Sequence, residues 1–288
     1  SGHDRGVAAP APPAAPPVAS VSVDAPPKSP ATTPGELRFG WEAMVRGATV
    51  VIDTRYTIQA LFNTNFQGLS TAQKAEAKAH ERIEVRVMEA SGGQIRELEV
   101  NYVESESEFT LSDTPNDVES NKGKRYRVSF ERGKPRVRAL AGSASAEEEK
   151  GVLFDLATVT GYPPLVEPHL PTSLSPGWKA RLDGAQVATM FGGLDTVKLD
   201  GAWLTLRGRD SENLEVALFD CGLPVRLERD GLAFSVQLQG TCTARSRDAR
   251  PLDISLKGPL RAELNAALSA ASTLTGTLEA RITHSYTR

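Results

Sequence analysis

Apolar and polar residues alternate along most of the chain after residue 48. In residues 49–62 one side of the alternation is apolar except at Thr54, and the other side is charged or polar. The apolar members are Val50, Ile52, Tyr56, Ile58, Ala60 and Phe62. A two-residue period is the pattern of a β-strand with one buried and one solvated face. The same period recurs in later segments, which predicts a chain built mainly of β-strands.

Short turn signals separate the alternating segments. Gly92-Gly93, Arg132-Gly133 and Asp230-Gly231 each lie between two such segments, where they predict β-hairpins. Hairpins in succession produce antiparallel sheets. We therefore expect a mainly β fold, either antiparallel curved sheets or a partly open barrel or sandwich, arranged in two halves.

One segment, residues 146–160, has helical spacing instead. Ser145 and Glu148 can form a capping box at its start, and Gly161 suits its end. An apolar stripe follows the four-residue period through Val152, Leu153, Leu156 and Val159. These features predict one short helix over 146–160.

Residues 71–80 fit two structures. Strong helix formers follow Ser70, which can cap a helix. Three alanines nevertheless alternate in phase with the apolar residues of 83–87, which would fit one long strand from about 74 to 88: Ala75, Ala77 and Ala79. We favour a short helical turn or loop that leads into the strand.

Two proline-rich stretches divide the chain. Residues 1–34 consist mostly of Pro, Ala, Val, Ser and Thr, which cannot bury enough apolar surface to become ordered, so they predict a disordered tether. Residues 162–176 contain five prolines and predict a connector. The two β halves are then expected at 35–161 and 177–288.

Composition narrows the class of protein. The chain has 33 basic and 36 acidic side chains and a net charge of −3, which argues against a nucleic-acid partner. No apolar run approaches the roughly 18 residues of a membrane helix. The chain opens at Ser1 rather than at Met, which we interpret as a mature start after removal of a leader.

The two cysteines, Cys221 and Cys242, fall at the ends of adjacent predicted strands. A single pair in a chain otherwise without cysteine predicts one disulfide in an oxidising compartment. Two buried free thiols are the alternative.

Motifs for catalysis or metal binding are missing from the sequence. None of the four histidines stands at metal-ligand spacing, and no nucleophile elbow, P-loop or dinucleotide fingerprint occurs. We therefore predict no catalytic residues, no metal and no cofactor. A hydrolase whose active site is dispersed over loops remains an alternative.

Charge is concentrated in two runs, an acidic one at 104–119 and a basic one at 122–138. We favour cross-strand ion pairs on a solvated face, with Glu104, Glu106 and Glu108 as acidic members. A calcium loop in the acidic run is an alternative. The basic run could instead hold a lipid or glycan phosphate through Lys124, Arg125, Arg127, Arg136 and Arg138.

Two apolar segments are candidate contacts for a ligand or a partner. One is the helix stripe with Val152, Leu153 and Leu156, and the other is the flexible segment 187–194 with Met190 and Phe191. Exposed apolar groups beside glycines can border a cavity or an interface.

This layout of tether, antiparallel strands, one capped helix and one disulfide resembles uncharacterised exported lipoproteins of the Gram-negative cell envelope. The resemblance implies a periplasmic or outer-membrane-associated protein that is attached to a membrane through its N-terminal tether. The leading hypothesis is a non-enzymatic protein that binds an envelope protein partner or scaffolds an assembly. The alternative is a carrier of a lipid or another apolar ligand in a β-sheet cavity.

Overall fold

The protein is described from a computed structural model. It describes residues 32–33, 37–39, 44–66, 69–92, 94–112, 114–116, 120–131, 134–156, 173–182, 197–199, 202–229, 232–248, 250–265 and 270–287.

Strands dominate the described residues, with one helix, α1, at Ala146–Leu156. The strands are β1 (Thr32–Thr33), β2 (Leu37–Arg38), β3 (Thr49–Phe66), β4 (Leu69–Ser91), β5 (Gln94–Leu111), β6 (Thr114–Asn116), β7 (Arg125–Glu131), β8 (Lys134–Ala139), β9 (Ser173–Leu174), β10 (Lys179–Leu182), β11 (Val197–Leu199), β12 (Ala202–Asp210), β13 (Val216–Arg229), β14 (Leu232–Arg245), β15 (Pro251–Asn265) and β16 (Ala270–Thr287).

One antiparallel sheet contains 14 of these strands. Its main order is β1-β12-β13-β14-β15-β16-β3-β4-β5-β7-β8, with β10, β11 and β6 paired beside that path. Strands β2 and β9 form a separate two-stranded sheet. The prediction of a mainly β, antiparallel fold with one short helix is confirmed, and the arrangement is one open sheet rather than a barrel or a sandwich. The two predicted halves share this single sheet, because β16 pairs with β3 along its whole length.

Strand β4 corrects the interpretation of residues 71–80. The favoured helical turn is wrong, because β4 runs unbroken for 23 residues, from Leu69 to Ser91. It pairs with β3 from Phe66 to Thr49 on one side and with β5 on the other. Backbone hydrogen bonds on both edges outweigh the helix propensity of Ala, Lys and Glu, and a ten-residue helix would be marginal alone.

The capping box of α1 forms as predicted. The Glu148 backbone N–H donates to Ser145 Oγ at 3.2 Å, and the Ser145 backbone N–H donates to Glu148 Oε2 at 2.8 Å. The described helix ends at Leu156, and the remainder of the predicted helix, 157–160, lies outside the described residues. No helix within the described ranges is long and apolar enough to cross a membrane.

Both hydrophobic cores lie on one face of the large sheet. Cross-strand partners share a face, so the register assigns Val50, Ile52, Ile83 and Val100 to the same face as Phe219 and Leu256 through the intervening strands. We call this the apolar face and its reverse the polar face. Helix α1 packs over one core, and the Leu37 and Leu174 side chains pack over the other.

Three glycines on the apolar face mark where neighbouring strands approach most closely. A Cβ added at Gly240, Gly258 or Gly276 would overlap a backbone oxygen of the next strand, respectively that of Ser255, Gln237 or Gln59. These glycines lie on a diagonal, because the β15 partner of Gly240 is two residues from Gly258, and the β16 partner of Gly258 is two residues from Gly276. Side-chain-free positions of this kind let a sheet bend sharply.

The predicted domain boundaries fall mostly outside the described residues. Of the tether, 1–34, only Thr32 and Thr33 are described, and they pair with Asp210 and Arg209 of β12. The connector at 162–176 is described only from Ser173 onward. The division into tether, halves and connector stays a prediction.

Candidate functional site

A partly enclosed pocket of about 340 Å³ opens on the apolar face between the two cores. It lies toward the end of the strands where the β3–β4 hairpin turns. Five neighbouring strands contribute its lining residues, which are Ile58, Phe62, Ala75, Glu76, Ala77, Phe109, Leu111, Ala262, Ser272 and Leu274.

Strand register positions the pocket lining. Ala77 of β4 lies opposite Ile58 of β3 on one side and opposite Phe109 of β5 on the other. Ala75 lies opposite Leu111 in the same way, and Phe62 lies opposite Leu274. Small alanine side chains between large apolar neighbours leave the space that forms the pocket.

The pocket has almost no polar surface. Glu76 contributes to its boundary, but this residue alternates onto the polar face, where its carboxylate lies 2.9 Å from Lys78 Nζ. Ser272 is the polar side chain among the lining residues of the apolar face. Such a lining can accept hydrocarbon and would disfavour a charged group, which would lose its hydration there.

A polar cluster lies farther along the apolar face, beneath α1. Tyr102 Oη donates a hydrogen bond to Asp155 Oδ2 at 2.6 Å. Burial, together with the nearby charge of Glu81, raises the pKa of Asp155 to about 7. Burial also raises the pKa of Glu81, although hydrogen bonds from Asn121 and Ser105 act in the opposite direction. Tyr102 is 2% exposed, so this cluster holds the helix on the sheet and does not face a cleft.

Of the apolar residues predicted from the sequence, the three on α1 are not among those that line this pocket. Val152 and Leu156 are buried in the core beneath α1, and Leu153 packs against that core. Met190 and Phe191 lie outside the described residues. Their role as ligand or partner contacts stays a prediction. The sequence did contain a signal for the pocket, since Ala75 and Ala77 alternate in phase with the strand that follows.

The basic run is paired with acids, but with different ones from those predicted. Arg125 forms an ion pair with Glu99, and Arg127 Nε lies 3.5 Å from Glu97. Glu104, Glu106 and Glu108 instead lie opposite Arg82, His80 and Lys78 of β4. The reason is the strand register. Strand β7 pairs with residues 97–101 of β5, and this pairing stops short of the acidic run, which begins at Glu104.

The other members of the basic run have carboxylate or strand neighbours as well. Lys124 Nζ lies 2.8 Å from Glu148, and an Arg136 nitrogen lies 3.5 Å from Glu131. Arg138 lies opposite Arg127 across β7 and β8. A phosphate site on these residues stays a prediction. Within the described part of the chain, no three His, Cys, Asp or Glu side chains are grouped so that they could hold a metal ion.

The two cysteines meet across neighbouring strands. Cys221 of β13 and Cys242 of β14 are both buried, and their Sγ atoms lie 2.7 Å apart as unbonded thiols. The contact with Cys221, together with burial, raises the pKa of the Cys242 thiol. The residues are two positions apart in register, because Phe219 pairs with Cys242 and Cys221 pairs with Gly240.

We expect Cys221 and Cys242 to form a disulfide in the protein isolated from an oxidising compartment. Mass spectrometry of the denatured chain should then show a gain of two hydrogens on reduction. Alkylation with and without reductant provides the control. Modification of both thiols in the unreduced, denatured chain would contradict the prediction.

Comparisons with known proteins assign no family. No protein-family model and no curated protein matches the chain. Among solved structures, one of lipovitellin that concerns its lipid–protein interactions is similar over 83% of this chain, at 6% identity and a TM-score of 0.43. This chain spans a quarter of that one, 25%. A DUF1329 family protein from Desulfovibrio piger aligns over 80% of this chain and 83% of its own, at 7% identity and a TM-score of 0.15. These are distant structural similarities.

Proposed function

We propose that this protein binds an apolar ligand, of which the acyl chain of a lipid is the best example, in the pocket on its apolar face. The observation that carries the proposal is the pocket itself, about 340 Å³ in volume with a lining that is almost wholly apolar. Ligand sites in proteins commonly occupy about 300–1,000 Å³. An acyl chain is uncharged, so its entry into the pocket would not require the costly removal of water from a charged group.

The energetics favour a filled pocket. Phe109 remains 37% exposed at its edge, although most large apolar side chains of this face are covered by α1 or by the segments near Leu37. A bound hydrocarbon would gain about 0.8 kcal/mol for each buried methylene group. The long strands also provide a rigid frame, so that little ordering would oppose binding.

The hypothesis of a tethered scaffold rests on different features. It depends on the predicted tether, 1–34, and on an envelope location. A hydrolase would need convergent titratable groups in a cleft. The two carboxyl groups whose pKa is raised, Asp155 on α1 and Glu81 on β4, instead lie close to each other where the helix packs on the sheet.

Filling the pocket should weaken ligand binding. Ala77→Phe places a ring between Ile58 and Phe109, where it occupies the space that a hydrocarbon would use. We expect the affinity for a fluorescent fatty acid, titrated in solution, to fall by about tenfold or more, since each lost methylene contact costs affinity. Binding of unlabelled fatty acid should displace the probe from the wild-type protein.

Ala72→Phe is the matched control, because it adds the same ring on the same strand. Ala72 is exposed and alternates onto the polar face, away from the pocket. Native mass spectrometry of gently purified protein gives a second measurement, in which a bound lipid adds mass that is lost on denaturation. The proposal fails if the wild-type protein shows no saturable binding and carries no added mass.

A further inference from the structure

Charged residues are absent from two long stretches of the strand-forming part of the chain. Residues 56–73 contain no Asp, Glu, Lys or Arg, and neither do residues 264–278. Over the whole chain, 24% of the residues are charged. Each stretch includes the end of one strand and the start of the next.

The sheet brings these two stretches side by side. Strand β16 pairs with β3 from Ala270 opposite Phe66 to Leu278 opposite Ile58. We call the described part of this region, residues 57–66, 69–73 and 270–278, the tip patch. Charged residues border it, with Lys74 on β4 and Glu263 on β15.

The opposite end of the same strands is different. There the polar face carries cross-strand ion pairs, in which His80 Nε2 lies 3.0 Å from Asp53 and Arg281 lies 2.6 Å from Asp253. Charge is therefore segregated along the length of the strands. A solvated sheet has no need of that segregation, because charged groups are favourable on any wet face.

Exposed apolar side chains occur on both faces at the uncharged end. Leu69 is 74% exposed and Phe109, beside the patch, is 37% exposed, and the register places both on the apolar face. Leu61 is 48% exposed and lies on the polar face, opposite Lys74. A protein partner that docks on a sheet covers one of its faces. Loss of charge from both faces fits surroundings that envelop the hairpin from both sides.

We propose that the tip patch enters the interfacial region of a lipid bilayer. Charged side chains are unfavourable where a bilayer becomes apolar, whereas Leu and Phe are favourable there. The Asn, Gln and Thr side chains of the patch suit the level of the lipid headgroups, so the contact is shallow. The proposal of a membrane contact is based on the tip patch alone. A transfer of ligand between the membrane and the pocket would, in addition, rest on the proposed function.

Flotation with neutral phosphatidylcholine vesicles tests the membrane contact. Wild-type protein should float with the vesicles at low and at high salt, because insertion of apolar groups is not screened by ions. Leu69→Glu should reduce the bound fraction by about tenfold or more. Leu69 is exposed, so this variant should fold normally, which its circular dichroism spectrum and melting temperature would verify.

Leu214→Glu is the matched control, since Leu214 is 54% exposed but lies between β12 and β13, away from the patch. It should float like the wild type. Failure of the wild type to float, flotation only at low salt, or equal flotation of Leu69→Glu would each overturn the proposal. A dimer in sedimentation equilibrium that Leu69→Glu dissociates, without vesicle binding, would identify a second copy as the occupant instead.

The two proposals can fail separately. Leu69 does not line the pocket, so Leu69→Glu should retain binding of the fluorescent fatty acid in solution while it loses vesicle binding. Ala77→Phe should show the reverse. If the fatty acid does not bind but the vesicles do, the membrane contact survives without the proposed function.

Discussion

Replacing Asp248 with asparagine should lower the free energy of unfolding by about 3–5 kcal/mol, because it removes the acidic member of a buried ion cluster. Asp248 has no solvent exposure. Arg245 Nε donates to its Oδ1 at 2.8 Å, and a second nitrogen of Arg245 contacts Oδ2. An Arg250 nitrogen lies 3.8 Å from the same carboxylate oxygen.

Packing around this cluster explains the size of the effect. The guanidinium carbons of Arg245 and Arg250 lie 4.9 and 5.6 Å from the centre of the Tyr286 ring. Tyr286 Oη in turn donates to the Pro251 carbonyl at 3.0 Å. Asparagine would keep the shape of Asp248 but remove the negative charge that faces two largely buried cations. The turn between β14 and β15 would lose the group that organises it.

Urea denaturation measures this effect, and Glu279→Gln is its control. Glu279 forms an ion pair with Lys257 at 3.4 Å in which both side chains are mostly exposed. Exposed pairs contribute about 0–1 kcal/mol, so this variant should remain close to wild type. Equal stability of the two variants would show that the Asp248 cluster is energetically no different from a surface pair.

Replacing Asp155 with asparagine should stabilise the protein at alkaline pH and remove part of its pH dependence. In the folded protein, burial raises the pKa of Asp155 from 3.8 to about 7. Between these values the folded state holds a proton that the unfolded state has released, so stability falls as the pH rises through this range. Above pH 7 the ionised carboxylate bears the full cost of burial beside Glu81.

The expected gain at pH 8 is at most about 4 kcal/mol, because burial raises the pKa of Asp155 from 3.8 to about 7. Below pH 4 the wild type and Asp155→Asn should have similar stability. Urea denaturation across this range measures the difference. Tyr102→Phe is the control, because it removes the hydrogen-bond donor but keeps the carboxyl group, so the fall in stability with pH should persist. A wild-type stability that is flat or rising between pH 4 and 7, with Asp155→Asn unchanged, would contradict the argument.

Local signals predicted the strands and the helix well, because each depends on neighbours in sequence. The alternation over 49–62 became β3, and the capping box of Ser145 and Glu148 formed as expected. Residues 71–80 were misjudged because their strand is decided by pairing with β3 and β5, whose contribution no local window contains.

The pocket could be predicted only in part for the same reason. Its alanines alternate visibly along β4, but the large residues opposite them come from segments far away in sequence. Phe109 and Leu274 are brought beside Ala75 and Ala77 by the register of four different strands. Val152 and Leu156 of α1 are buried in the core beneath the helix, and their predicted role as ligand or partner contacts stays a prediction.

The sequence by itself determined that the chain is mainly antiparallel β with one capped helix, and where charge is absent along it. The period of the apolar residues, the turn-forming residues and the helix caps each depend on a few neighbouring positions, so the sequence alone indicates them. Only the tertiary structure decided that both halves form one sheet, that the acids facing Arg125 and Arg127 are Glu97 and Glu99, and that two uncharged stretches meet at one end. Strand order and register depend on the whole set of hydrogen-bonded partners and on the burial of one common face, which no single segment specifies.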